Sequence, residues 1–314
     1  MTVGTRARRP HVHATGAAST AVRPLLDAPR RAARVLAAFP AGAYLQVRTD
    51  REPSVIAVLT PGATRLPNAV LLAGEPPRLT VGDDASVGDG AVRLGRLSLR
   101  ASRWWDPAPP LGEADPARLR EAAAGLTPGE PALAGEPAVE LLASGCASGR
   151  LLDVLTAAER LVGLGPGLTP SGDDVLAGLM VTLRLLGAAT GAARAVWLAD
   201  WLAATVTYDA RTRTTPLSAT LLHCAALGQA SPEVGGVLRA LAGHHPLEPA
   251  VRRLHALGHT SGSDLAQGIA IGLRSVLAFS PQESPSRESS SLQEPPSFRE
   301  SSSPKELFRP RECA

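Results

Sequence analysis

Residues 163–178, which read GLGPGLTPSGDDVLAG, hold the groups in this chain that are best suited to chemistry. A helical pattern precedes the string and another follows it, so the string is predicted to be a turn that feeds a helix N-terminus. The N–H groups and the positive dipole end of such a terminus suit a phosphate or a carboxylate. Asp173 and Asp174 in the first turn would repel that anion. They could instead hold a metal ion that meets the anion, bind an amide or amine end of the substrate, or only cap the helix.

Residues 258–268, which read GHTSGSDLAQG, form a second copy of this motif when Pro170 is skipped. The matched pairs are Thr169 and Thr260, Ser171 and Ser261, Gly172 and Gly262, and Asp174 and Asp264. A glycine follows each matched aspartate by four residues, which places both on one helix face. Glycine there permits two helices to approach closely. We therefore expect the two helices to pack with their N-termini together and both aspartates to face one pocket.

These motifs supply the candidate site. The candidate catalytic residues are Asp173, Asp174 and Asp264. The candidate substrate-binding residues are turn glycines, hydroxyls, one histidine and two cations from the motifs and from segment 209–218: Gly165, Gly167, Thr169, Ser171, Gly172, Arg211, Arg213, Thr215, Ser218, His259, Thr260, Ser261 and Gly262. Segment 209–218 could hold an anionic substrate through its arginines and hydroxyls, or it could be a solvated loop. No cofactor is firmly indicated, although Mg²⁺ could bind the aspartates.

The pattern of the chain predicts an α+β protein, in which a small, mostly antiparallel β-rich N-terminal domain precedes an all-α domain with the duplicated helix start. We expect a flexible tail over 1–18, a helix over 21–39 and short strands over 44–47, 54–59, 69–72, 91–94 and 97–100. These elements give a first domain over 19–107 and a helical domain over 108–279. The predicted helices span 117–124, 139–143, 151–162, 175–186, 192–205, 217–226, 233–242, 248–257 and 264–278. Residues 280–314, rich in Ser, Pro and Glu, are predicted to be disordered.

Composition narrows the functional classes. The net charge is +3, Lys305 is the only lysine, and no basic stripe with interleaved aromatics is present, which argues against nucleic-acid binding. The strongest apolar run, 175–186, contains Arg184 and is too short to span a bilayer. Cys146, Cys224 and Cys313 are odd in number and far apart, which indicates neither a disulfide framework nor a zinc site and favours a cytoplasmic protein.

The strings GLGPGLTPSGDDVLAG, TTPLSATLLHCAALG and GHTSGSDLAQG together resemble the AllH-type subunit family of oxamate carbamoyltransferase, long catalogued as a domain of unknown function. The resemblance covers roughly residues 20–279. It implies a part in moving a carbamoyl group between oxamate and phosphate in allantoin breakdown, together with other subunits of the enzyme. The resemblance brings no assigned catalytic residues. The turn N–H groups, Arg211 and Arg213 could meet a small anionic substrate, and the aspartates could bind its amide.

Two other functions stay open. One is a Mg²⁺-dependent hydrolase, similar in logic to the ADP-ribosylglycohydrolases, with Asp173, Asp174 and Asp264 as ligands. The other is a non-catalytic partner that only shapes a complex.

Overall fold

Eight strands close into a barrel in the N-terminal part of the computed structural model, which describes residues 12–108 and 110–281. The strands are β1 (Val12–Ser19), β2 (Arg31–Phe39), β3 (Gly42–Val47), β4 (Val55–Leu59), β5 (Ala69–Leu72), β6 (Asp84–Gly88), β7 (Ala91–Leu94) and β8 (Leu97–Trp105). Their order around the barrel is β1-β5-β4-β3-β2-β6-β7-β8. Alternate side chains fill the interior, among them Val35, Leu45, Ile56, Val92 and Leu99.

The prediction of a mostly antiparallel sheet is wrong, because the barrel is mixed. β4 and β5 pair in parallel, and so do β1 and β8. Short spacing between predicted strands favours hairpins, in which neighbouring strands are antiparallel. The connection from β4 to β5 is longer and returns the chain to the end of the barrel at which β4 begins, so β5 runs parallel to β4. Closure then places the first and last strands side by side in the same direction. Neither the long connection from β4 to β5 nor the closure of the barrel is visible in the local sequence pattern. The protein is nevertheless α+β, since helices follow the barrel.

The predicted helix over 21–39 is also wrong. A 3-10 turn at Thr20–Val22 and the short helix α1 (Arg23–Asp27) precede β2, which occupies the second half of that range. Alanine and arginine favour helices, but here every second side chain, Ala33 and then Val35, is buried in the barrel. The flexible tail predicted over 1–18 is also wrong at its end, because β1 begins at Val12, and β6 was not among the predicted strands. Two parts of the predicted tails lie outside the described residues: residues 1–11 of the first tail and residues 282–314 of the second.

All nine predicted helices are present between residues 110 and 281. They are α2 (Pro116–Ala123), α3 (Pro137–Ser148), α4 (Leu151–Leu161), α5 (Ser171–Ala189), α6 (Ala193–Arg213), α7 (Pro216–Ala226), α8 (Pro232–Leu241), α9 (Leu247–His255) and α10 (Ser261–Phe279). Their apolar faces form one aliphatic core. Among the described residues, no helix is long and apolar enough to cross a bilayer.

Helices α5 and α10 pack directly on each other through reciprocal glycines, as the duplicated motif predicts. A Cβ atom on Gly178 would lie 2.3 Å from the carbonyl oxygen of Leu265, and one on Gly268 would lie 2.1 Å from that of Val175. Val175 and Leu265 follow the matched aspartates in the two copies, so the two helices are related by an approximate twofold axis. This contact fixes the distance between the two helix starts.

Thr220 on α7 joins the helices to the barrel, with which they form one compact unit. Its hydroxyl oxygen accepts hydrogen bonds from the backbone N–H groups of Ser54 and Val55, each at 3.1 Å. The same hydroxyl donates to the Glu52 carboxylate at 2.6 Å. Three groups at the start of β4 are thereby held against α7, and this contact sets the space between the barrel and α7.

Candidate functional site

The glycine-rich turn before α5 needs its glycines. Gly163, Gly165 and Gly167 have φ angles of +75°, +115° and +94°, which L side chains rarely adopt. Gly165 and Gly167 are exposed, and Thr215 donates a hydrogen bond from its hydroxyl to the carbonyl of Leu168 at 2.5 Å. The turn is therefore tied to the start of α7 and stands at the surface of the helical part.

The two helix starts are built in the same way. The N–H of Gly172 donates to the carbonyl of Leu164 at 2.9 Å, and the N–H of Gly262 donates to that of Leu257 at 3.0 Å. A Cβ atom on either glycine would lie 2.1 Å from the last carbonyls of the preceding helix. Since these two N–H groups bond to their own turns, they do not serve an anion. Phosphate binding at both helix starts, as the sequence suggests, thus loses two of its donors.

Asp173 acts as a clamp. One carboxylate oxygen accepts from the N–H of Gly163 at 2.8 Å, and the other accepts from the hydroxyls of Ser218, at 2.6 Å, and Thr214. Burial raises the pKa of Asp173, while the hydrogen bonds from Ser218, Thr214 and Gly163 lower it. Both oxygens are occupied by donors within the protein. Asp173 therefore holds the turn against α7 and does not reach the cavity described below.

Asp174 is the acid that faces open space. It is 8% exposed and lines a cavity of about 270 Å³, and its Oδ2 atom is buried without a hydrogen-bond partner among the described residues. Burial raises its pKa to about 8; the Ser261 hydroxyl opposes this shift, and the charges of Asp264 and Asp173 add to it. The carboxyl group can therefore exchange a proton near neutral pH.

Asp264 does not face that cavity, although the sequence predicts a shared pocket. It is fully buried, and its Oδ1 atom accepts from the N–H of Ala132 at 2.8 Å. Its Oδ2 atom is buried without a partner among the described residues. The segment before α3 thus covers the second helix start, while the first stays open. The carboxyl of Asp264 acts on the site through its charge, which raises the pKa of Asp174.

The predicted hydroxyls divide in the same way. Thr169 and Ser261 line the cavity beside Asp174, with their oxygens 3.3 Å apart. Thr215 and Ser218 belong to the first turn of α7, where Thr215 accepts from the N–H of Ser218 at 3.1 Å. The other predicted positions are elsewhere around the two helix starts: Ser171 is buried in the first turn of α5, Thr260 precedes α10, and His259 is exposed.

Arg211 and Arg213 lie in the last turn of α6, which extends beyond its predicted end. Arg213 pairs with Glu159 at 3.8 Å and with Asp209 at 3.6 Å, and Arg211 is exposed. Neither arginine lines the cavity. The predicted role for these cations in holding an anionic substrate is therefore not supported at this cavity.

The other wall of the cavity comes from the barrel, which the sequence did not connect to the site. Tyr44 on β3 and Thr64, Leu66 and Pro67 from the loop after β4 face the helices. Burial raises the pKa of the Tyr44 phenol, so it stays neutral. Gln229, in the turn after α7, also lines the cavity and was missed. These residues stand in no motif, and only the docking of the barrel on α7 brings them to Asp174.

A metal centre built on the three aspartates is not favoured by this geometry. Asp173 already receives three hydrogen bonds, and Asp264 receives one from the backbone. Among the residues that the structure describes, no group of three or more His, Cys, Asp or Glu side chains is placed to hold a metal ion. The free carboxylate oxygens of Asp174 and Asp264 are instead suited to hydrogen-bond donors.

Comparison with known proteins agrees with the resemblance seen in the motifs. The model of the family described as oxamate carbamoyltransferase subunit AllH matches residues 161–273. This segment contains both helix starts, the clamp at Asp173 and the helical wall of the cavity, and it is similar to that family. No solved structure matches the chain.

Proposed function

We propose that this chain is a subunit of a carbamoyl-transferring enzyme of the oxamate carbamoyltransferase type, and that it binds the reacting amide or carbamoyl group at Asp174. The observation that carries the proposal is the buried Asp174 carboxyl, which has a free oxygen in a cavity of about 270 Å³ whose helical wall lies in the segment that matches the family. A buried acceptor without a partner costs free energy unless a ligand supplies the missing donor. An amide N–H is such a donor.

The chemistry fits a carboxyl group that titrates near neutral pH. When a carbamoyl group passes from phosphate to an amide, the amide nitrogen bonds to the carbamoyl carbon, the bond from that carbon to the phosphate oxygen breaks, and the nitrogen loses a proton. Asp174, whose pKa is raised to about 8, takes that proton as general base. Ser261 and Thr169 orient the amide beside it. Asp173 acts as a positioning residue, because it holds the turn that carries Thr169.

Partner subunits supply the phosphate site in this proposal. The described residues that line the cavity include no arginine, lysine or histidine, whereas phosphate recognition depends on cations or on free N–H groups. The family is named as a subunit, which agrees with a shared active site. We place the enzyme in the cytoplasm, because Cys146 and Cys224 are free, buried thiols.

A thermal-shift experiment on the full chain tests this function. Carbamoyl phosphate, oxamate and inorganic phosphate are compared as ligands, since a ligand that binds only the folded state raises the melting temperature. We expect a carbamoyl or amide compound to stabilise the wild type and to lose that effect in Asp174→Asn. Asp27→Asn, at an exposed carboxylate in α1, is the matched control and should respond like the wild type.

Three results separate the alternatives. An equal response of wild type and Asp174→Asn would show that the cavity is not the binding site. A full response to phosphate alone would contradict the assignment of phosphate to a partner subunit. Binding that is intact while Asp174→Asn supports full turnover in the assembled enzyme would identify a non-catalytic subunit.

A further inference from the structure

The cavity beside Asp174 has mostly apolar walls. Val181 on α5, Leu217 and Leu221 on α7, and Leu265 on α10 line it, opposite Leu66 from the barrel. Burial of such surface favours a ligand with carbon groups by about 25 cal/mol for each Å² removed from water. A small, fully polar ligand at Asp174 would leave these walls in contact with water or with empty space.

The volume of the cavity also exceeds the needs of a small acid. Its 270 Å³ is about nine times the roughly 30 Å³ that one water molecule takes in the liquid. Oxamate would fill only the part next to Asp174. The side-chain oxygen of Gln229, which lines the same cavity, is buried without a partner among the described residues, so the cavity offers a second acceptor besides Asp174.

The charge of the walls selects against anions. Asp174 is the one charged side chain among the described residues that line the cavity. A ligand carboxylate there would meet a like charge and no cation. A primary amide, in contrast, carries no charge, and its N–H group can donate to the free Oδ2 atom of the Asp174 carboxylate. The amide therefore brings no second charge into the cavity.

We infer that this cavity takes an uncharged primary amide or ureido compound with an apolar body, larger than oxamate, whose amide group pairs with Asp174 and whose body lies against Val181, Leu217 and Leu221. The inference rests on the proposed function, in which Asp174 binds the reacting amide. It narrows the substrate class of the proposed transfer to acceptors that combine a primary amide with an apolar body.

Calorimetric titration of the full chain with butanamide, pentanamide and hexanamide tests the inference. Each added methylene is expected to tighten binding about fourfold, the value for one buried methylene. Pentanoate and hexanoate, which have the same bodies, are expected to bind about tenfold more weakly or worse than the amides. Equal affinities along the amide series, tighter binding of the carboxylates, or tighter binding of hexylamine than of hexanamide would each overturn the inference.

Ala230→Leu, at a lining position next to Gln229, provides a variant that makes the cavity smaller. It should reduce the affinity for hexanamide about tenfold or more and change that for butanamide little. Ala204→Leu, at an exposed position of α6, is the matched control and should bind the series like the wild type. If Ala230→Leu does not fold, the wild-type series decides alone.

This test can fail separately from the proposed function. A response to carbamoyl phosphate or oxamate without any dependence on chain length would leave the function standing and remove the apolar substrate. Fourfold steps along the amide series, with no response to any carbamoyl compound, would support the cavity's preference for an apolar body and count against carbamoyl transfer.

Discussion

Replacing Asp174 by asparagine should make the stability of this protein less dependent on pH. The carboxyl of Asp174 has a pKa of about 8 in the folded chain, against 3.8 for an unperturbed aspartate, chiefly because it is buried. Between those two pH values the folded chain keeps a proton that the unfolded chain has released. The free energy of unfolding of the wild type therefore falls as pH rises through this range, and asparagine, which does not titrate, removes that loss.

The size of this change in the free energy of unfolding follows from the one proton that Asp174 keeps in the folded chain. Each pH unit inside the window changes the free energy of unfolding by about 1.4 kcal/mol. Relative to the wild type, Asp174→Asn should thus gain about 3 kcal/mol between pH 5 and pH 7. The gain should level off above pH 8, where Asp174 is ionised in both states. Because Asp174 is 8% exposed, solvent screening reduces this figure little.

Urea unfolding of both proteins at pH 5, 6, 7 and 9 measures the difference directly. The other titrating groups are shared by the two proteins, so their contributions cancel in the difference. Gln229→Leu is the control, since it removes an uncharged buried group from the same cavity and should shift stability equally at each pH. A difference between Asp174→Asn and wild type that is constant from pH 5 to pH 7 would refute the assignment of a raised pKa to this carboxyl.

Three further substitutions test how the site is held together. Gly268→Ala should destabilise the protein by about 1–3 kcal/mol or more, because its Cβ would lie 2.1 Å from the carbonyl oxygen of Val175. The control is Gly236→Ala, whose Cβ would have no atom within 4 Å and which should stabilise α8 by roughly 0.5–1 kcal/mol. Thermal unfolding of both variants measures the two effects. Asp173→Asn should lower the free energy of unfolding by about 1–3 kcal/mol, since an amide cannot accept all three hydrogen bonds that Asp173 receives. Faster proteolysis of the glycine-rich turn, with unchanged cleavage elsewhere, would confirm that Asp173 holds the turn. Unchanged stability would contradict it. Thr220→Val should take the acceptor Thr220 from the buried N–H of Val55 and cost about 1–3 kcal/mol, and hydrogen exchange that stays slow at this amide would argue against the contact.

Parts of the fold followed from local patterns. The helices after residue 110 could be predicted because apolar residues recur at helical spacing between Gly, Pro and Ser breaks, and the ends differ mainly where α3, α5 and α6 extend further. The barrel was harder. The strand at Val55–Leu59 was predicted from its β-branched residues, whereas Arg31–Phe39, which is rich in helix-forming residues, was predicted as a helix yet pairs with β3 and β6. Pairing across the barrel outweighs the weak intrinsic preference of those residues.

The candidate site was predictable only in part for the same reason. Three glycines so close together, at positions 163, 165 and 167, indicate a turn in the sequence, and all three have positive φ angles in the structure. Asp174 was selected from its place in the motif. Tyr44 and Gln229 could not be found in this way, since each is an ordinary residue at its own position and reaches the cavity only through the packing of the barrel on α7.

The sequence by itself determined that two equivalent helix starts meet, because glycines at 178 and 268 let two helix backbones touch at a place where a Cβ atom would clash. It could not distinguish Asp174 from Asp264, which occupy the same place in the two copies. The tertiary structure decided between them: the N–H of Ala132 reaches Asp264 and seals it, whereas the barrel stands off from Asp174 and leaves a cavity. Access to a side chain depends on segments distant in sequence, and a local motif carries no information about what covers it.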